Sequence, residues 1–189
     1  MNLFMHLDPV GQLNTGDIIT PQRHTNSCRL SVFADMFCQG FISHLNDLCR
    51  EGLSYHGISY LYRNLEPNHT FRTDLILQEL NLEYVRWKNN INEPSRLQSL
   101  FAWENKEDAL KFAKENKAYP TIYEVEALGR FFMADMDLSR RPDSALKYWH
   151  GKPLCNDDNY KQTWECVLEL PVRIIRQMKL IPTFEFAEE

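Results

Sequence analysis

The sequence predicts an α+β fold. Helix-period spacing of apolar residues dominates the first half, and two-residue alternation dominates the second. Helices gathered early and strands gathered late favour segregated elements over a doubly wound parallel sheet.

Residues 3–7 read as a short buried strand, turned by Pro9-Val10-Gly11, and Asp17–Thr20 as a second extended piece ended by Pro21. Asn26 or Ser27 can cap a helix whose apolar residues fall at 30, 33, 34, 37, 38, 41, 45, 48 and 49, ending at Gly52. A shorter helix is expected from Ser54 to Leu65, before Pro67. A third opens near Thr70 and closes at Asn89-Asn90 and Pro94.

Beyond it, Ser99–Ala102 reads as a strand. Asn105-x-x-Asp108 caps a helix running to about Lys117. Thr121–Ala127 alternates, with Tyr123 and Val125 on one face and Glu124 and Glu126 on the other. Phe131–Met136 is a further strand. The polar stretch 139–163 reads as a long surface loop with a helical turn near Ser144–Trp149. Trp164–Leu170 alternates again, placing Glu165, Val167 and Glu169 opposite Trp164, Cys166, Leu168 and Leu170. Pro171 then suggests an edge or a bulge, and Val172–Met178 continues as strand.

At 189 residues the chain is expected to form a single domain, 1–189, with a helical insert at about 27–90. A formal charge of −5 argues against general affinity for nucleic-acid backbones, although Arg140, Arg141, Lys147 and Lys152 cluster locally. Five cysteines without C-x-x-C spacing are expected to be reduced, buried thiols of a cytoplasmic protein. No signal peptide or membrane-spanning run is read, and Asn68-His69-Thr70 is taken as a chance glycosylation pattern.

Three separated segments carry the chemistry: the first strand ending in His6, the run Ser95-Arg96-Leu97-Gln98-Ser99-Leu100-Phe101-Ala102, and Trp164-Glu165-Cys166-Val167-Leu168-Glu169-Leu170. Their order resembles the histidine…serine/aromatic…glutamate pattern of the ADP-ribosyltransferase superfamily. The resemblance implies split mixed or antiparallel sheets around an NAD cleft. It also implies transfer of ADP-ribose from NAD to a macromolecular acceptor, protein or nucleic acid, with release of nicotinamide. NAD serves as substrate and no metal is needed. Glu165 would then be the catalytic carboxylate that stabilises the sugar cation. His6 would hold a ribose hydroxyl, Arg96 the pyrophosphate, and Ser99 and Phe101 the nicotinamide.

Two departures stand out. His6-Leu7 replaces the family's usual His-Gly, and Tyr55-His56-Gly57, which repeats that pair, lies in a helical segment. Thr163 stands where arginine-modifying members carry Glu or Gln, so the acceptor is open; Tyr148, Trp149 and Trp164 offer a platform for it or pack the loop down. A toxin, a phage-encoded host modifier and a defence effector all fit such an activity.

Two other classes compete. Asp135-Met136-Asp137 is a D-x-D that could hold a metal in a nucleotide-sugar glycosyltransferase, although acids ending a strand at solvent fit as well. A non-catalytic factor binding a neutralising or target protein would use the amphipathic helix 30–50.

Overall fold

A computed structural model describes residues 2–8, 11–23, 47, 49–61, 73–115, 121–155 and 160–178. The expected helix over 30–49, its caps and the 68–70 tripeptide lie outside these residues, apart from positions 47 and 49.

Among the described residues, seven strands form two antiparallel sheets. The first has the order β1-β4-β7-β2, built from Leu3–Asp8 (β1), Thr121–Ala127 (β4), Val172–Met178 (β7) and Ile18–Ile19 (β2). The second has the order β3-β6-β5, built from Ser99–Ala102 (β3), Trp164–Glu169 (β6) and Phe131–Asp135 (β5). Reciprocal backbone bonds between Met5 and Trp103, at 2.7 and 2.8 Å, tie the free edge of β3 to β1.

Among the described residues the helices are α1 (Tyr55–Leu61), α2 (Thr73–Asn89), α3 (Lys106–Glu115), α4 (Met136–Ser139) and α5 (Ala145–Trp149). The structure is thus α+β with antiparallel sheets. No helix among the described residues is long and apolar enough to cross a membrane.

Strand alternation creates the layers. Phe4, Tyr123, Val125, Cys166, Leu168, Val172 and Ile174 fill the space between the two sheets. Leu7 and Ile122, pointing the other way, meet Ala109 and Ala113 of α3. That helix is capped as its sequence suggests: Asn105 Oδ1 accepts from the Asp108 N–H at 2.9 Å. The outer face of the three-stranded sheet presents Ala134 and Val167 to Leu82 of α2, Leu138 of α4 and Ala145, Tyr148 and Trp149 of α5.

Two sequence readings need correction. Pro171 marks neither a bulge nor an edge strand. β6 is the central strand of its sheet, and the chain changes sheets at Pro171, because the ring cannot donate to a continuing ladder. Asp135 does not end its strand at solvent but is fully buried. Its carboxylate accepts from the Asp137 N–H at the start of α4, the Leu154 N–H at 2.8 Å and the Tyr160 hydroxyl at 2.9 Å. Tyr160 also reaches Asp137 at 2.9 Å, so the D-x-D fastens the polar stretch that follows α5 to the end of β5. No group of three or more metal-ligating side chains converges among the described residues.

Candidate functional site

Position 165 lies on the face of β6 that alternation turns toward the helices, one step from the inter-sheet core. The Glu165 carboxylate is only 4% exposed. A buried carboxylate is costly unless it is paired and hydrogen-bonded, so its partners define the site.

The principal partner is Arg96, brought there by a short 3₁₀ turn at Arg96–Gln98 immediately before β3. Its Nη1 donates to Glu165 Oε1. The other edge of the guanidinium meets Glu79 of α2 in a bidentate pair, Nε to Oε2 at 3.0 Å and Nη2 to Oε1 at 2.9 Å. The Tyr148 hydroxyl lies 2.5 Å from Arg96 Nη1 and donates to Glu165 Oε1 at 2.8 Å. Both bonds to Glu165 fall on Oε1, and Oε2 makes none among the described residues. The Arg96 guanidinium lies over the Phe101 ring, 4.5 Å from its centroid.

Local sequence explains this convergence. Glu79, Glu83 and Arg86 follow i, i+4, i+7 spacing and share the side of α2 that faces the 93–98 turn. Glu83 accepts from Ser95 Oγ at 3.0 Å, and Arg86 holds Glu83 and donates to the Glu93 carbonyl at 2.9 Å. From the other side α1 packs directly on the turn. Ser54 caps α1 by accepting from the Gly57 N–H at 3.1 Å, and its hydroxyl and N–H both donate to the Leu97 carbonyl. A Cβ on Gly57 would stand 2.3 Å from that carbonyl oxygen, so only glycine permits the approach.

The electrostatics follow from burial and pairing. Burial opposes ionisation of Glu79, but Arg96 and then His56 outweigh it and hold the carboxyl well below the usual range. Burial likewise opposes the Arg96 charge, yet Glu165 and Glu79 raise its pKa further above the ordinary value. Tyr148 is pushed well up, first by burial and then by Glu165, against Arg96, so it stays a neutral donor. Counted with His56 neutral, two carboxylates share one guanidinium, which leaves this buried group with one formal negative charge in excess.

His56 sits at the edge of the cluster. Its Nε2 comes within 3.3 Å of Glu79 Oε1, and that buried nitrogen has no hydrogen-bond partner among the described residues. The imidazole packs between Tyr60 and Phe101, with centroids 4.3 and 4.4 Å away.

His6 is half-buried in β1 and uses Nδ1 toward the Phe101 carbonyl, 2.8 Å away across the free edge of β3. Burial, opposed by that carbonyl and by Asp8, lowers its pKa. The Ser99 hydroxyl is buried and donates to the Ser95 carbonyl at 2.6 Å. The structure therefore joins Glu165, Arg96 and Phe101 directly and links His6 to them through the Phe101 backbone. Ser99 is spent on bracing the turn that carries Arg96.

Tyr148 and Trp149 form no exposed platform with Trp164. Both are buried, and Trp149 Nε1 donates to the Leu82 carbonyl at 2.7 Å, so they pack the segment down onto α2. Sequence reasoning missed Glu79 altogether. The signal for it was the spacing of Glu79, Glu83 and Arg86 ahead of a turn containing Arg96.

No curated protein matches the chain. A family model matches residues 4–180, nearly its whole length, and on that match the chain belongs to the family described as protein of unknown function (DUF2441).

Proposed function

We propose that this protein transfers ADP-ribose from NAD to a macromolecular acceptor with release of nicotinamide, on an ADP-ribosyltransferase-like fold. The observation that carries this reading is the meeting of three distant segments at one charged cluster. His6 bonds to Phe101, Phe101 lies under Arg96, and Arg96 holds Glu165.

Cleavage of the nicotinamide–ribose bond builds positive charge on the sugar, and fixed negative charge lowers the energy of that cation. The excess negative charge of the cluster suits the task. Arg96 and Tyr148 hold Glu165 by Oε1 alone, which leaves Oε2 for a ribose hydroxyl or the developing cation. With Nδ1 turned to the Phe101 carbonyl, His6 retains Nε2 as an acceptor for a second hydroxyl. Arg96 acts in this reading on Glu165 rather than on phosphate, since both edges of its guanidinium are engaged.

Incubation with NAD labelled in its adenylate half and a cell lysate tests the reading. Label that survives nuclease identifies a protein acceptor, and label that survives protease identifies a nucleic acid. Intact protein that transfers no label in several lysates and releases no nicotinamide would overturn it.

A further inference from the structure

From the geometry around Glu79 we infer that His56 is the general base that takes the proton from the acceptor, with Glu79 as the residue that positions it. This rests on the transferase reading above and adds a role to it.

Glu165 Oε1 is taken by a guanidinium and a phenol, and in the transferase reading its Oε2 is committed to the ribose. The cluster's other basic side chain is His56. Glu79 is locked by two hydrogen bonds from Arg96 and presents Oε1 to His56 Nε2 at 3.3 Å. A carboxylate beside Nε2 favours the tautomer with its proton on that nitrogen, which leaves Nδ1 as the acceptor. Nε2 is sealed from the surface, whereas the side chain as a whole is 19% exposed, so the accessible part lies elsewhere on it. Tyr60 and Phe101 both pack on the ring, with centroids 4.3 and 4.4 Å away, and restrict its rotation. Among the described residues the charged and titratable groups that meet it are Glu79 on α2 and Tyr60 on α1, with Arg96 on the 3₁₀ turn and Glu165 on β6 joined through Glu79.

The step balances. The acceptor's heteroatom forms a bond to the anomeric carbon of the ribose, and the bond from that carbon to nicotinamide nitrogen breaks. The electron pair of the broken bond leaves with nicotinamide, and the acceptor's proton passes to neutral His56. The acceptor class is accordingly one that must lose a proton to react, such as a hydroxyl or an amide or ring N–H.

Two measurements test the inference. Nitrogen-15 NMR of the wild-type imidazole should show the proton on Nε2 and a bare Nδ1; a proton on Nδ1 overturns the assignment whatever the variants do. Label transfer from NAD into lysate should fall at least about 100-fold in His56→Ala and His56→Gln, the usual scale of a lost general base. Added imidazole should restore part of the rate in His56→Ala, which a merely structural role would not allow. Transfer unchanged in the folded His56 variants but lost in Glu165→Gln would reject the role of His56 and leave the transferase reading intact. Wild-type protein that neither consumes NAD nor transfers label would end both.

Discussion

Replacing Arg96 with methionine removes the guanidinium that two buried carboxylates share while keeping a side chain of similar reach. Glu79 and Glu165 are both buried, and each spends at least one hydrogen bond on the guanidinium. Breaking a buried pair costs roughly 3–5 kcal/mol, because the remaining charge is left uncompensated. With a urea slope of about 2 kcal/mol/M, the unfolding midpoint at pH 7 should drop by roughly 2 M.

The pH dependence should also change sign. In the wild type Glu79 titrates below its ordinary value of 4.5, so its contribution is complete above that value. It is lost as pH falls through the depressed folded value, because the unfolded chain binds the proton first. Without Arg96, burial, the largest single influence on this carboxyl, is opposed by His56 alone and should raise the Glu79 pKa above its unfolded value. The variant should then gain stability as pH is lowered from 7 toward 5, where the wild type gains none. Urea unfolding followed by tryptophan fluorescence at several pH values reads both effects. A midpoint shift under 0.5 M, roughly 1 kcal/mol at that slope, with parallel pH profiles, would refute the claim that one guanidinium neutralises this site.

Gly57→Ala should destabilise the fold by about 1–3 kcal/mol, since its Cβ would meet a backbone carbonyl that cannot swing aside. A wild-type melting temperature in that variant would show that α1 does not sit so close to the 95–98 turn. Burial raises the Cys49 thiol to about 11 and the Cys166 thiol to about 12, while Cys155 is exposed. Peptide-level alkylation at pH 8 should therefore label Cys155 quickly and the other two only on denaturation. Rapid labelling of Cys166 would contradict its place in the core between the sheets.

Much of this fold was legible because the deciding signals were local. Two-residue alternation fixes which side of β4 and β6 each residue faces, so Tyr123 and Val125 meet Cys166 and Leu168 between the sheets as their parity requires. The Asn105 cap and the short helix at 145–149 announce themselves through side-chain chemistry within a few residues. Sheet membership did not, because Pro171 reports only a break in a ladder. Whether a strand ends there or crosses to another sheet depends on strands far away in the sequence, β3 for β6 and β4 for β7.

The candidate site shows the same division. Glu165, Arg96 and Phe101 could be named from their segments, and they do meet. That Arg96 would be clasped between two acids could not be seen, since Glu79 looks like any other charge on a helix until α2 is docked. Asp135 misled for a similar reason: an acid at a strand end reads as solvated unless the chain that folds over it, here Leu154 and Tyr160, is already in place.

Nicotinamide release and calorimetric NAD binding, measured side by side for the wild type and Glu165→Gln, test the reading most directly. The account predicts that both proteins bind NAD and that release falls about 100-fold or more in the variant, the scale of one lost electrostatic contact to the transition state. Equal release from the two proteins, or no NAD binding by either, would contradict it.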